Sequence, residues 1–109
     1  MLENLFGNYT AEKVLMYIFA YGEGYAREIE RTMNLPFFPV NRQLSRFEDA
    51  GILAGKLKGK TKIYVFNPRY PFIEELKALL AKAYEYIPED EKERYYRLRN
   101  RPRKSGKPL

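Results

Sequence analysis

The order of its periodic apolar segments constrains the fold of this chain more than any other feature. Three segments with the spacing of amphipathic helices come first, and two short β-prone segments follow them around a turn-forming tetrapeptide. A longer helical segment comes last. A chain of 109 residues has room for one domain of this kind, so these elements must pack around a single core.

We expect the first helix to begin at Thr10, whose side chain can cap it, and to end at the glycines of residues 22–24. The second helix, over residues 25–33, is short and amphipathic, because its apolar side chains recur at every fourth position. The third can begin at Pro39, since the first turn of a helix has no use for the N–H that proline lacks, and Gly51 ends it.

The two β-prone segments, residues 52–57 and 62–66, flank the turn Lys58-Gly59-Lys60-Thr61 and predict a short hairpin. A turn follows, and then an apolar stripe predicts a longer fourth helix over about 70–87. The stripe consists of Phe72, Leu76, Leu79, Leu80, Ala83 and Ile87. So small a core cannot cover the whole stripe, and we therefore expect this helix to pair two copies of the chain. The alternative is that it folds back over its own domain.

The sequence divides at Pro88 into a domain over residues 1–87 and an extension over residues 88–109. In the extension, residues 89–99 start with acidic and end with basic side chains, the polarity that suits a helix dipole. Residues 100–109 are rich in proline, glycine and basic residues. We therefore expect an acidic-to-basic helical extension that continues into a flexible basic tail.

Positive charge is concentrated in that extension. Of a chain with a net charge of +6, residues 94–109 contain seven basic and no acidic residues, whereas residues 1–93 contain 13 basic and 14 acidic residues. A basic terminal segment on a nearly neutral domain is typical of binding to a polyanion, although it can also serve solubility alone. Arg101, Arg103 and Lys104 are therefore candidate phosphate contacts.

Cysteine and histidine are both missing from the sequence. Their absence excludes disulfides, zinc sites built from these residues, and nucleophilic catalysis by Ser-His-Asp or Cys-His sites. The carboxylates lack the loop spacing of a calcium or magnesium site. We therefore expect no metal, no cofactor and no enzymatic activity.

Membrane insertion is not expected from the hydropathy of the chain. The longest apolar stretch, Val14 to Tyr21, is far shorter than the about 20 residues that cross a bilayer. The N-terminus also lacks the basic and then apolar pattern of a secretory signal. These features predict a cytoplasmic location.

The decisive segment for the family assignment is residues 25–57. It contains Ala26-Arg27-Glu28-Ile29, Met33-Asn34-Leu35 and Val40-Asn41-Arg42-Gln43-Leu44-Ser45-Arg46-Phe47-Glu48-Asp49-Ala50-Gly51-Ile52-Leu53. The register of these segments resembles that of ArsR-type and related winged helix-turn-helix regulators, and the resemblance spans about residues 10–87. In that family a short helix ends in Gly-Leu, a polar turn follows, and a recognition helix leads to an Ala-Gly-Leu exit. Here Asn34 replaces the glycine, and Pro36-Phe37-Phe38-Pro39 replaces the polar turn.

This resemblance implies a mainly α fold with a β-hairpin, in which a three-helix core carries a two-stranded wing and a long C-terminal helix. The segment Asn67-Pro68-Arg69-Tyr70-Pro71 further resembles winged-helix domains associated with small nucleotidyltransferases. The function implied is a sequence-specific transcriptional regulator that binds double-stranded DNA as a homodimer. The alternative is a protein-interaction module that partners a separately encoded nucleotidyltransferase or toxin.

A helical wheel of the third helix separates an apolar face of Val40, Leu44 and Phe47 from a polar face. The polar face carries candidate base-reading residues, namely Asn41, Arg42, Ser45 and Arg46. Arginine pairs with guanine and asparagine with adenine in the major groove. Asp49 lies on the same face and would repel phosphate, so only the first two turns are expected to enter the groove.

Two further sets of residues are candidates for contacts with DNA. Lysines recur at every second position along the hairpin and suit phosphate contact. They are Lys56, Lys58, Lys60 and Lys62. Phe37 and Phe38 allow two interpretations: one or both join the second helix to the third, or Phe38 touches a thymine methyl group.

Overall fold

Helices dominate residues 1–98, which are the residues that the computed structural model describes. The helices and strands are α1 (Glu3–Phe6), α2 (Tyr9–Tyr21), α3 (Ala26–Met33), α4 (Phe37–Asp49), β1 (Leu53–Lys58), β2 (Thr61–Phe66), α5 (Ile73–Glu85) and α6 (Glu89–Glu91), followed by a π-helical turn (Lys92–Tyr96). The two strands form one antiparallel hairpin. The predicted order of three amphipathic helices, a hairpin and a further helix is confirmed.

The hydrophobic core is centred on α2, which is buried along most of its length. Such a helix is apolar nearly all round, because other elements cover it on several sides. The side chains that pack together in this core come from four helices, both strands and the π-helical turn. They include Val14, Ile18, Ile29, Leu44, Leu53 and Leu80.

Two helices begin earlier than the sequence predicts. Asn8 rather than Thr10 caps α2, since its Oδ1 accepts a hydrogen bond of 2.8 Å from the N–H of Ala11. Helix α4 begins at Phe37 rather than at Pro39. Pro39 is then the third residue of α4, where its missing N–H still has no partner within the helix.

Helix α1 was not predicted from the sequence. It is one turn long and none of its residues is fully buried, so it has no apolar periodicity to detect. Its position is fixed in part by Glu12 of α2, whose Oε1 accepts a hydrogen bond of 3.0 Å from the N–H of Leu2.

The turn between α3 and α4 is made without the glycine of the family pattern. Asn34 adopts a left-handed conformation with φ of 56° at the end of α3. Asparagine tolerates this conformation better than other residues with a side chain. The N–H of Leu35 then donates to the carbonyl of Glu30 over 3.1 Å and closes the helix end.

The base of the hairpin is fixed at both edges. Gly24 forms a two-way backbone bridge with Tyr64 of β2, with N–O distances of 3.1 and 2.8 Å. A side chain at Gly24 would meet the buried ring of Tyr17, because a Cβ there would lie 2.8 Å from its Cε1. Asn67 donates through Nδ2 to the carbonyl of Gly51 over 2.8 Å. The hairpin is therefore held in one orientation relative to the end of α4.

Helix α5 buries only part of the apolar stripe predicted for pairing. Leu80, Ala83 and Ile87 are buried against the domain itself. The expectation that the stripe lies between subunits is therefore wrong for these three residues. Phe72 stays 62% exposed, and Leu76 and Leu79 are half-buried. The C-terminal half of the stripe therefore belongs to the core, and its N-terminal half remains partly exposed.

The helical extension predicted over residues 89–99 is present as α6 and the π-helical turn, up to Tyr96. It packs back on α2, where the Tyr21 hydroxyl donates to the carbonyl of Tyr95 over 2.5 Å. Within residues 1–98, every helix is too short or too polar to cross a membrane.

Candidate nucleic-acid interface

Helix α4 divides into a buried and an exposed face, which confirms the helical wheel. Its buried residues are Val40, Gln43, Leu44 and Phe47. These anchor one side of the helix in the core, because a rotation of about 100° per residue brings them together. The exposed side presents Asn41 and Arg42 in the second turn and Ser45 at the start of the third.

The two arginines predicted to read bases differ in their surroundings. The guanidinium of Arg46 donates to the carbonyl of Phe6 over 2.7 Å and to Oε1 of Gln43 over 2.9 Å. It also lies 4.6 Å from the ring centre of Phe47. Arg42 is exposed and has no ion pair or hydrogen bond from its side chain to any residue in the described part of the chain. The structure thus turns Arg46 toward α1 and leaves Arg42 available.

The hairpin lysines do not share one face, although they recur at every second position in the sequence. Lys56 pairs with Ile63 and Lys58 with Thr61, whereas Lys62 pairs with Leu57. Directly paired residues point to the same side of a sheet, and neighbours along a strand point to opposite sides. Lys56 and Lys58 therefore lie on one face of the hairpin and Lys62 on the other.

The hairpin turn exposes the next lysine at its tip. Gly59 has a φ of 62°, and Asn34 is the one described residue other than glycine with a positive φ. The loop Gly59-Lys60 is thus of the II′ kind, with glycine first. Lys60 follows Gly59 at the exposed tip, between the two strands.

Lys62 is occupied by an ion pair within the protein. Its Nζ lies 2.8 Å from Oε1 of Glu48 on α4, and this hydrogen bond raises the pKa of Lys62. Gly55 leaves the space for the pair, because a Cβ at that position would lie 2.5 Å from Cε of Lys62 and 2.9 Å from Oε2 of Glu48. Lys62 therefore joins the hairpin to α4 and neutralises an acidic side chain beside the interface.

An open groove of about 450 Å³ lies between the exposed side of α4 and β2. It brings together four of the residues predicted to contact DNA, two from α4 and two from the hairpin. They are Asn41, Ser45, Lys60 and Lys62. Among the other lining residues, the sequence reasoning missed Tyr25 and Arg27 at the start of α3. If α4 entered a groove of a nucleic acid, the start of α3 and the hairpin would therefore flank it.

Arg27 is the charged member of the residues that were missed. Its Cζ lies 3.8 Å from the ring centre of Phe37, and its Nη1 lies 3.2 Å from Oε1 of Glu30. The side chain is still 62% exposed. The sequence signal that could have identified Arg27 was its position in the first turn of α3, since helix starts commonly approach phosphates.

The two phenylalanines at the start of α4 have different environments. Phe37 is half-buried beneath Arg27, whereas Phe38 is 74% exposed. Their rings meet edge to face with centres 5.4 Å apart. The packing interpretation therefore applies to Phe37, and the interpretation that Phe38 touches DNA stays open.

Some predictions lie outside the described residues, namely those for Arg101, Arg103 and Lys104. Within residues 1–98, no three acidic side chains come close enough together to hold a metal ion. The polar groups that the structure does bring together are those of α4 and the hairpin.

Comparison with known proteins identifies the fold class. A structure of ZitR from Lactococcus lactis, a double variant in its apo form, matches with a TM-score of 0.53 and 9% sequence identity. The match covers 77% of this chain and 72% of that chain. At this identity the likeness concerns the fold alone, and it confirms the winged-helix fold. The hairpin of β1 and β2 is the wing of this fold.

The sequence comparisons do not assign a family. No protein-family model matches the chain, and no curated protein was found to match it. Membership of the ArsR-type family therefore stays a prediction.

Proposed function

We propose that this protein is a transcriptional regulator that binds double-stranded DNA as a homodimer. In this proposal the first part of α4, about two and a half turns up to Ser45, enters the major groove and the wing lies along the sugar-phosphate backbone. The observation that carries it is the groove shared by α4 and β2, which has Asn41 and Ser45 on one wall and Lys60 on the other.

The charges of α4 and the hairpin support a polyanionic partner. Four cations of these elements have neither an ion pair nor a side-chain hydrogen bond within residues 1–98: Arg42, Lys56, Lys58 and Lys60. Lys60 lines the groove, whereas Lys56 and Lys58 lie on the hairpin face opposite to that of Lys62. Glu48 is neutralised by Lys62, and the exposed Asp49 lies at the far end of α4. Phosphates would supply the missing counter-charges and release their own condensed cations. We call the surface formed by Asn41, Arg42, Ser45, Lys56, Lys58 and Lys60 the α4–wing surface.

The roles of these residues follow from their exposure and chemistry. Arg42 can donate two hydrogen bonds to a guanine, and Asn41 can pair with an adenine edge. Ser45 can contact either purine. The lysines of the wing suit phosphates, which fix the protein on the duplex without reading its sequence. Since its guanidinium is already bonded to Phe6 and Gln43, Arg46 is expected to add less than Arg42.

Dimerisation is proposed through α5 and α1. A cleft of about 370 Å³ lies between these helices, and its lining is almost wholly apolar. It includes Leu5, Phe6, Phe72, Leu76 and Leu79, and we call it the α1–α5 cleft. At its rim Leu5 is 65% and Phe72 is 62% exposed. Exposed apolar surface of this kind usually marks a protein interface.

A two-fold dimer would explain why a regulator needs this surface. Two recognition helices separated by about 34 Å can enter successive major grooves on one side of the duplex. The bound sequence would then be a palindrome, because the symmetry of the site mirrors the symmetry of the protein. The same cleft is the observation that favours the alternative, a module that binds another protein.

Selection from random duplex DNA tests the proposal. We expect enrichment of a palindromic sequence and an affinity that falls steeply with salt. Sedimentation of the protein alone should show a dimer. Failure to enrich any sequence, together with a monomer that co-purifies with another protein, would instead support the interaction module.

A further inference from the structure

Phe38 is an exposed aromatic side chain that the proposed function does not yet use. It is 74% exposed at the second position of α4, whereas Phe37 beside it is half-buried. The ring of Phe37 contacts two side chains. Cζ of Arg27 lies 3.8 Å from its centre, and the ring of Phe38 meets it edge to face. Phe38 is therefore braced at its base by side chains that belong to the fold.

The surroundings of Phe38 are polar, which separates it from the exposed apolar residues elsewhere. Its neighbours on the exposed side of α4 are Asn41, Arg42 and Ser45. By contrast, Phe72 and Leu5 border an apolar cleft that could accept a protein side chain. A single ring among hydrogen-bonding groups suits a surface that is mostly polar but carries an isolated apolar group. The major groove has this character, because the thymine methyl group stands among donors and acceptors.

The spacing of Phe38 and Arg42 fits adjacent positions in DNA. They are four residues apart on one helix, so their Cβ atoms are about 5–6 Å apart. Base pairs follow each other at about 3.4 Å along a strand. Two side chains on one helix edge therefore reach base pairs that are one or two steps apart, with Phe38 nearer the start of the helix.

We propose that Phe38 is a specificity-determining residue that contacts the 5-methyl group of a thymine, one or two steps from the guanine that Arg42 contacts. This inference rests on the proposed function and adds to it a defined base preference. The contact is apolar and made by the ring, so it depends on the methyl group and not on a hydrogen bond.

The test replaces each thymine of the selected sequence in turn with deoxyuridine, which removes only the methyl group. With the wild-type protein we expect one position per half-site to lose about fourfold in affinity, the effect of burying one methyl-sized group. With Phe38→Ala, which removes the contact from both half-sites of the dimer, affinity for the thymine site should fall by about sixteenfold, and deoxyuridine at that position should cause no further loss. Tyr86→Ala is the matched control, because Tyr86 is 68% exposed on another surface.

The outcomes separate this inference from the function on which it rests. Specific binding that is equally strong with thymine and deoxyuridine at every position would overturn the contact and leave the regulator intact. A loss of affinity in Phe38→Ala that leaves the methyl dependence unchanged would also overturn it. No specific binding to any duplex would overturn both. The deoxyuridine series with the wild-type protein does not depend on whether Phe38→Ala folds correctly.

Discussion

The α4–wing surface and the α1–α5 cleft are both exposed, but they differ in chemistry. The first carries cations without ion-pair partners in the described chain, and the second is lined by apolar side chains. Exposed cations are well hydrated and common on proteins, so their number alone indicates little. Their placement on α4 and the hairpin, the two elements that border one groove, points to a polyanion. Clustered exposed apolar side chains are rarer, and they point to a protein partner even without such an arrangement.

Arg46 connects these two regions. It belongs to α4, and it donates to the carbonyl of Phe6, a residue that lines the α1–α5 cleft. A change in the cleft that moves α1 would therefore act on α4 through a direct hydrogen bond. Substitutions confined to one surface at a time show whether the two surfaces act as separate sites.

The largest effect is expected from a charge placed in the α1–α5 cleft. Leu79→Glu should convert a dimer into a monomer and lower specific DNA affinity by on the order of a hundredfold or more, because two linked half-sites bind far more tightly than one. Sedimentation and binding titrations measure both. Ala78→Glu is the matched control, since Ala78 is exposed on the same helix but does not line the cleft.

A wild-type protein that sediments as a monomer would contradict the division between the two surfaces. Since Leu79 is half-buried, Phe72→Glu provides a second variant at a residue that is 62% exposed and should not disturb the fold. If Phe72→Glu stays dimeric, then the cleft is not the interface.

The next largest effect is expected from Arg42→Ala. Loss of a two-hydrogen-bond contact to guanine should weaken specific binding by about 1–3 kcal/mol while leaving binding to random DNA nearly unchanged. Competition titrations with selected and random duplexes separate these two quantities. Equal losses on both duplexes would show that Arg42 contacts only phosphate.

A smaller effect is expected from the wing. Replacement of Lys58 and Lys60 by alanine should weaken binding to all sequences alike and reduce the salt dependence by up to about two units of slope. The matched control replaces Lys77 and Lys82, which are exposed on α5. Loss of sequence preference at an unchanged salt slope would mean that the wing reads bases.

The smallest effect on DNA binding is expected from Arg46→Ala. The variant loses its hydrogen bonds to Phe6 and Gln43, so we expect the free energy of unfolding to fall by about 1 kcal/mol. Specific DNA affinity should change less than in Arg42→Ala. Denaturant unfolding and the same titrations provide the comparison, and an affinity loss equal to that of Arg42→Ala would restore Arg46 as a base-reading residue.

The sequence was a good guide to the elements and a weaker guide to their ends. Apolar spacing located the three core helices and the hairpin, because burial of one face imposes a period on the side chains. It placed the start of α2 near Thr10, whereas Asn8 provides the cap. Several polar residues near a helix start can act as the cap, and the backbone that selects one of them depends on the preceding turn.

The candidate site shows the same limit more clearly. The buried face of α4 and the short hairpin around Gly59 were both predicted, since each follows from local geometry. The separation of the lysines onto two faces was not. A two-residue turn pairs even with odd positions across the hairpin, so a spacing of two in the sequence does not continue on one face.

The period of the apolar side chains fixed which segments became helices and strands, because helix and strand periods are properties of the local backbone. Which cations remain available was decided only when distant segments met. Arg46 found the carbonyl of Phe6, Lys62 found Glu48, and Arg42 found no partner in the described chain. Hydrogen bonds and ion pairs act over a few ångströms, so the partners of a charged side chain depend on distances in space that the sequence does not contain.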